Sequence, residues 1–135
     1  MILEFTVNKS CVEVYDYLTD MRKFVAVHPV IFRMDKISDN EYRVFEKLKF
    51  GFIPVTFKYK AIVKGDSATN KVVMSAVVMK MINISMNFSL NQNSHGTHVI
   101  EDVVFRSFLP VHFMMKAIFR EQHKLLFSNI SKASS

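Results

Sequence analysis

Apolar and polar positions change rhythm several times along this chain. From Ile2 to Val7 they alternate, with Leu3, Phe5 and Val7 on one face, which predicts a strand. Cys11, Val14, Tyr15 and Leu18 then recur at helical spacing, and a second helical stretch runs from Met21 to Val27. Ser10 and Glu13 have the spacing of a capping box, in which each side chain accepts from an otherwise orphan backbone N–H. Thr19 and Asp20 end the first helix and cap the second. His28-Pro29 closes that second helix, because a residue before proline avoids the α region.

Beyond Val30 the alternation returns, broken by turn residues at Asp39-Asn40, Gly51 to Pro54, Gly65 to Asn70 and Asn91 to Gly96. Six strands follow: Ile31 to Ser38, Glu41 to Phe50, Val55 to Lys64, Lys71 to Lys80, Ile82 to Gln92 and Thr97 to Arg106. The last long apolar run, Phe108 to Ile130, predicts a helix of about six turns. Its periodicity puts Val111, Met114, Met115, Ile118, Phe119, Leu125 and Leu126 on a buried side. His112, Lys116, Arg120, His123 and Lys124 fall on a wet one. Gln122 and Asn129 lie within the buried side and need partners there. Phe113 and Phe127 project from the polar side, either under a loop or at a dimer contact.

Short connections between successive strands imply an antiparallel meander, so alternate turns share one end. That parity gathers Phe50 to Pro54, Met79 to Ile82 and Ser107 to Pro110 at an apolar rim. The opposite rim receives the polar turns. Apolar turns are the less usual case, since connections normally face water.

Composition adds the character of the interior. The 135 residues suit one domain with a substantial core, and 13 Phe and 9 Met beside 3 Gly and no Trp make that interior bulky and deformable. It is either solid or the lining of a cavity. The single Cys11 excludes an intramolecular disulfide and points to a reducing compartment, with the cytoplasm as the expectation. Neither a signal peptide nor an uninterrupted apolar span is read in the chain. A formal charge of +6 biases the surface toward anionic partners.

The order strand, two short helices, six strands, long helix resembles the START-like helix-grip superfamily, also called SRPBCC or polyketide cyclase and lipid transport. Lys9 to Asp20 looks like that family's first helix, His28-Pro29 like the close of its second, and Gly96-Thr97-His98-Val99 like its Gly-Thr-x-Val entry to the last strand. The resemblance implies an α+β fold over residues 1–135: a curved seven-stranded antiparallel sheet gripping the C-terminal helix, with a cavity between them. Known members bind lipids, sterols or polyketides, and some cyclise or dehydrate them. The family supplies no universal catalytic motif, and this chain lacks the Trp that many relatives have near the second helix. The ligand-binding positions expected on such a cavity are Tyr42, Glu46, Phe57, Tyr59, Met86 and Phe88. Glu101, Met114, Met115, Ile118 and Gln122 complete the set.

Glu46 shares a strand face with Val44 and Leu48, and Glu101 shares one with Val99, Val103 and Phe105. Inward carboxyl groups desolvated in this way have raised pKa values and suit acid or base work. The competing expectations are a bulge that turns Glu46 toward a surface Lys, or mutual satisfaction of Glu46, Glu101 and Gln122. Metal is not expected: His112 and His123 stand about 16 Å apart on a helix, and His95 and His98 lack a third ligand. Cys11 reads as a buried helix residue, and without a Gly-rich phosphate loop no nucleotide cofactor is expected.

Arg43, Lys47 and Lys49 share one strand face, and Lys58, Lys60 and Lys64 share one on the next. With Phe45 alone among them, a nucleic-acid platform is not expected. Two readings of this basic face stand, a solvated surface or contact with an anionic membrane into which the apolar rim dips. The sequence therefore supports a binding module for an apolar small molecule. Its alternatives are a cyclase or dehydratase using Glu46 or Glu101, and an interaction protein whose cavity is filled.

Overall fold

The computed structural model describes residues 1–50, 52–108 and 110–134, with Phe50 described by its backbone only. The elements run β1 (Ile2–Val7), α1 (Cys11–Thr19), α2 (Met21–Val27), β2 (Ile31–Ser38), β3 (Glu41–Phe50), β4 (Ile53–Asp66), β5 (Lys71–Val78), β6 (Ile82–Asn93), β7 (Gly96–Arg106) and α3 (His112–Lys132). The strands form one antiparallel sheet in the order β1-β7-β6-β5-β4-β3-β2. Each strand from β2 to β7 pairs with its sequence neighbour, and β1 closes the series against β7, with Leu3 opposite Glu101. This is the expected α+β architecture of a seven-stranded sheet around a long C-terminal helix.

Local chemistry sets the element ends. The Ser10 hydroxyl accepts from the Glu13 N–H at 3.2 Å, completing the capping box of α1. The Asp20 carboxylate accepts from the N–H groups of Arg22 and Lys23 and starts α2. Gly96 opens β7 at φ 138°, where an added Cβ would lie 2.1 Å from the Val7 carbonyl oxygen.

The register of β3 answers one of the open questions. Two irregularities between β2 and β3 both lie on β2, and at the one beside Glu46, Ile31 pairs with Glu46 and Arg33 with Phe45. Phe32 is the extra residue, so β3 keeps strict alternation and Glu46 stays on the inner face with Val44 and Leu48. The basic residues Arg43, Lys47, Lys49, Lys58, Lys60 and Lys64 are exposed on the outer face of β3 and β4, with Arg43 opposite Lys60. Phe45 lies among them, under the guanidinium of Arg33 at 4.9 Å.

The long helix departs from the sequence reading in two ways. It starts at His112, after Pro110 and Val111, whereas the apolar run suggested Phe108; Leu109 lies outside the described residues. Its buried face also shifts along its length. In the C-terminal half the buried residues are His123, Leu126, Phe127 and Ile130, a helical i, i+3, i+4, i+7 set, while Leu125 is exposed. The expected wet His123 and outward Phe127 are therefore core residues. Phe127 stacks on Phe5 of β1 at 4.7 Å between centroids, which turns this half of the helix toward β1. Further N-terminal, Met115, Ile118 and Phe119 are only half-buried and Met114 is exposed. There the helix stands over empty space.

Candidate functional site

That space is a cavity of about 300 Å³ between the sheet and α3. Of the expected positions, Glu46 on β3, Phe57 and Tyr59 on β4, and Met86 and Phe88 on β6 all border it. Met114, Met115, Ile118 and Gln122 border it from α3. Two expected positions do not. Tyr42 lies in a shallow surface depression with Thr19, Val25 and Met34, because α1 and α2 occupy the inner side of the sheet at that end. Glu101 is wholly buried behind the wall and reaches the cavity only through a neighbour.

The neighbour is His123. Its Nδ1 is 2.6 Å from Glu101 Oε1, a carboxylate-imidazole contact with both side chains out of solvent. Its ring packs between Phe88, 6.3 Å away, and Phe119, 5.0 Å away, and borders the cavity. His28 at the end of α2 also borders it, with Nδ1 accepting from the N–H groups of Val30 and Ile31 at 3.2 and 3.0 Å. Burial, with a smaller effect from His123, lowers the His28 pKa to about 3, so the ring is neutral.

Glu46 is the opposite case. Burial raises its pKa to about 7, partly offset by the nearby His123. It forms no ion pair among the described residues, so neither a surface Lys nor Glu101 satisfies it. Burial, with Glu46 beside it, also pushes the Tyr59 phenol well above its ordinary value. Gln122 borders the same space. Asn129, the other polar residue on the expected buried arc, is accounted for by donating to the Val27 carbonyl at 2.8 Å.

The polar groups thus cluster on an otherwise aliphatic and aromatic wall. His28 and His123 escaped the sequence reading because each sits at the margin of an apolar pattern. The signal for His123 was indirect: a carboxylate at Glu101 on the inner face of β7 needed a buried partner, and the last helix carries few polar residues near its apolar arc.

The mouth lies at the apolar rim. Met79 and Met114 line the cavity yet are about half exposed, whereas Phe88 and Leu126 at its other end are almost wholly buried. Met79 and Lys80 have φ values of 55° and 58°, with the Met81 N–H donating to the Val78 carbonyl across a tight hairpin. This geometry is ordinarily supplied by Asn-Gly, and here it holds an apolar side chain at the opening. Phe52, Phe108 and Phe113 are exposed at or beside the same rim. Gly51 and Leu109, also expected there, lie outside the described residues. No helix among the described residues is long and apolar enough to cross a membrane.

No family model matches the sequence, and no curated protein does. Solved structures do match. Ara h 8.0201 superposes with a TM-score of 0.78 at 14% identity, covering 98% of this chain and 94% of its own. A START superfamily protein from Mycobacterium smegmatis gives the same TM-score, 0.78, the same 14% identity and the same 98% and 94% coverage. The aromatase/cyclase Zhui from Streptomyces gives 0.70 at 11% identity, over 98% of this chain and 90% of that one. Identities this low speak to architecture alone, and on that basis the chain has the helix-grip fold.

Proposed function

We propose that this protein binds an apolar small molecule in the cavity under the first half of α3. The observation that supports it is the combination of about 300 Å³ of space, a wall of Met, Phe and aliphatic side chains, and a small convergent set of polar groups. Ligand sites are usually built this way. The alternative of a cavity filled by its own side chains is not favoured, because the space is there. Titration with the neutral fluorophore Nile red, and native mass spectrometry of freshly purified protein, test the reading directly. Ile118→Trp places a large ring in the cavity and is expected to weaken Nile red binding by about tenfold or more with the circular dichroism unchanged. Absence of binding by the unaltered protein to any apolar probe would overturn the proposal.

One observation favours acid-base chemistry of the cyclase or dehydratase type as a second reading. Glu46 borders the cavity with a pKa near 7, where both its forms are populated at neutral pH. Glu101, the other candidate, is shut away from the ligand space. On this reading Glu46→Gln abolishes turnover of a polyketide-like substrate and leaves its binding largely intact.

The rim supports a peripheral membrane contact as the route to the cavity. Exposed Phe52, Ile53, Met79 and Phe108 sit beside exposed Lys49 and Lys80, an apolar tip with cations that suit an anionic headgroup layer. Sedimentation with anionic and neutral vesicles tests it.

A further inference from the structure

We propose that the outer face of the sheet, opposite the cavity, carries a docking groove for an acidic amphipathic helix of a partner protein. The groove, about 1060 Å³, runs over β5 and β6 between banks formed by β4 and β7. Register explains its shape. Lys60, Val77, Asn83 and Arg106 stand opposite one another in a single row across the four strands, so long cationic side chains rise at both ends and shorter ones lie between. The adjacent row, Ile62, Ser75, Ser85 and Val104, repeats the pattern with apolar ends and a serine floor. Residues two apart on a strand share a face, so both rows point outward. Three strand spacings separate the banks, about 14 Å, which admits an α-helix of about 10–12 Å diameter.

Charge and exposed apolar surface together define the occupant. Lys58, Lys60, Lys80 and Arg106 line the groove, and among the described residues none of the four forms an ion pair. Against them the groove wall carries a single carboxylate among the described residues, Glu41. Ile62, Val77 and Val104 leave 40%, 48% and 40% of their surface open in two neighbouring rows, an apolar strip framed by cations. A helix whose carboxylates flank an apolar stripe meets both demands: the stripe settles on the strip and the serine floor, and the carboxylates reach the banks. Other occupants fit less well. A second copy of this chain brings charge of the same sign, and α3 presents exposed Lys116, Arg120 and Lys124 beside Glu121. A flat bilayer reaches the apolar rim, not the floor of a trough at Ser75 and Ser85. A single-stranded nucleic acid finds no ring to stack on, because Tyr59, which borders the groove, buries its phenol beside Glu46 on the cavity side.

The test is calorimetric titration with a synthetic helical peptide of about five turns that carries leucines at i, i+3, i+4 spacing between two rows of glutamates. One control peptide has lysine in place of each glutamate, and a second has the same composition shuffled so that no apolar stripe forms. The unaltered protein is expected to bind the acidic amphipathic peptide with a Kd in about the micromolar range, and both controls and single-stranded oligothymidylate at least about tenfold more weakly. Lys60→Glu with Arg106→Glu is expected to weaken binding of the acidic peptide about tenfold or more. Ser85→Trp, which blocks the floor and leaves every cation in place, is expected to weaken it by about the same factor. Both variants are expected to keep the circular dichroism of the unaltered protein, since the replaced side chains are on the outer face. Phe52→Ser with Phe108→Ser, which alters only the rim, is expected to bind the peptide as the unaltered protein does. Failure of the unaltered protein to bind the acidic peptide, equal binding of the shuffled one, tighter binding of oligothymidylate, or full binding by either groove variant overturns the proposal.

Discussion

Glu46 and His28 make opposite demands on stability although they border the same cavity. The folded chain raises the Glu46 pKa from 4.5 to about 7, so between those values the folded state holds a proton that the unfolded state releases, and stability falls as pH rises. It lowers the His28 pKa from 6.5 to about 3, so over that window the unfolded state binds the extra proton and stability falls as pH drops. The two slopes oppose each other where the windows overlap. Above the overlap His28 no longer opposes the Glu46 slope, and below it Glu46 no longer opposes that of His28. Thermal unfolding between about pH 6.5 and about pH 8 is therefore expected to show a melting temperature that declines with pH, by a few degrees. Glu46→Gln should flatten this decline, and an unchanged slope would place the titrating group elsewhere.

The long helix behaves as two half-elements. Its C-terminal half packs Leu126, Phe127 and Ile130 against β1 and the small helices, and its N-terminal half spans the cavity with side chains that are only partly covered. Phe127→Ala is expected to destabilise by about 3–5 kcal/mol in urea denaturation, whereas Phe119→Ala, which enlarges an existing space, should cost about half that or less. Equal effects would mean that the two halves are packed alike. The same division explains what the sequence could and could not convey. Period-two alternation located every strand, since Ile84, Met86 and Phe88 had to share a face whatever lay above them. The Ser10-Glu13 capping box and the cap at Asp20 marked the small helices because those bonds are local. The facing of α3 is not local: stacking of Phe127 on Phe5 chose between helical faces of similar apolarity, and brought His123 inward with it. A ring's neighbours across the fold leave no period to read. Glu46 could be placed from alternation alone, but its isolation from every Lys could not.

At the scale of the whole molecule the charges and the apolar rim are arranged about one end and one face. The basic outer face of β3 and β4 runs toward the turn that carries Phe52 and Ile53, so a membrane reached by the rim also meets Lys49 and Lys80. Anionic vesicles are expected to sediment the protein, neutral ones to leave most of it in solution, and about 0.5 M salt to reverse the difference by screening. Phe52→Ser with Phe108→Ser should reduce sedimentation about tenfold while Nile red binding persists. Equal failure to bind both vesicle types would leave the basic face as a solvated surface. The pairing of β1 with β7 has a different consequence, for the timing of folding. The first strand made is completed by the last, with Val7 opposite Thr97, so an emerging chain carries β1 unpaired through the synthesis of everything between. Contacts of such long range are slow to form, and the pocket gains its roof only when α3 follows. On the proposed reading, the binding site exists only once α3 has docked on the completed sheet.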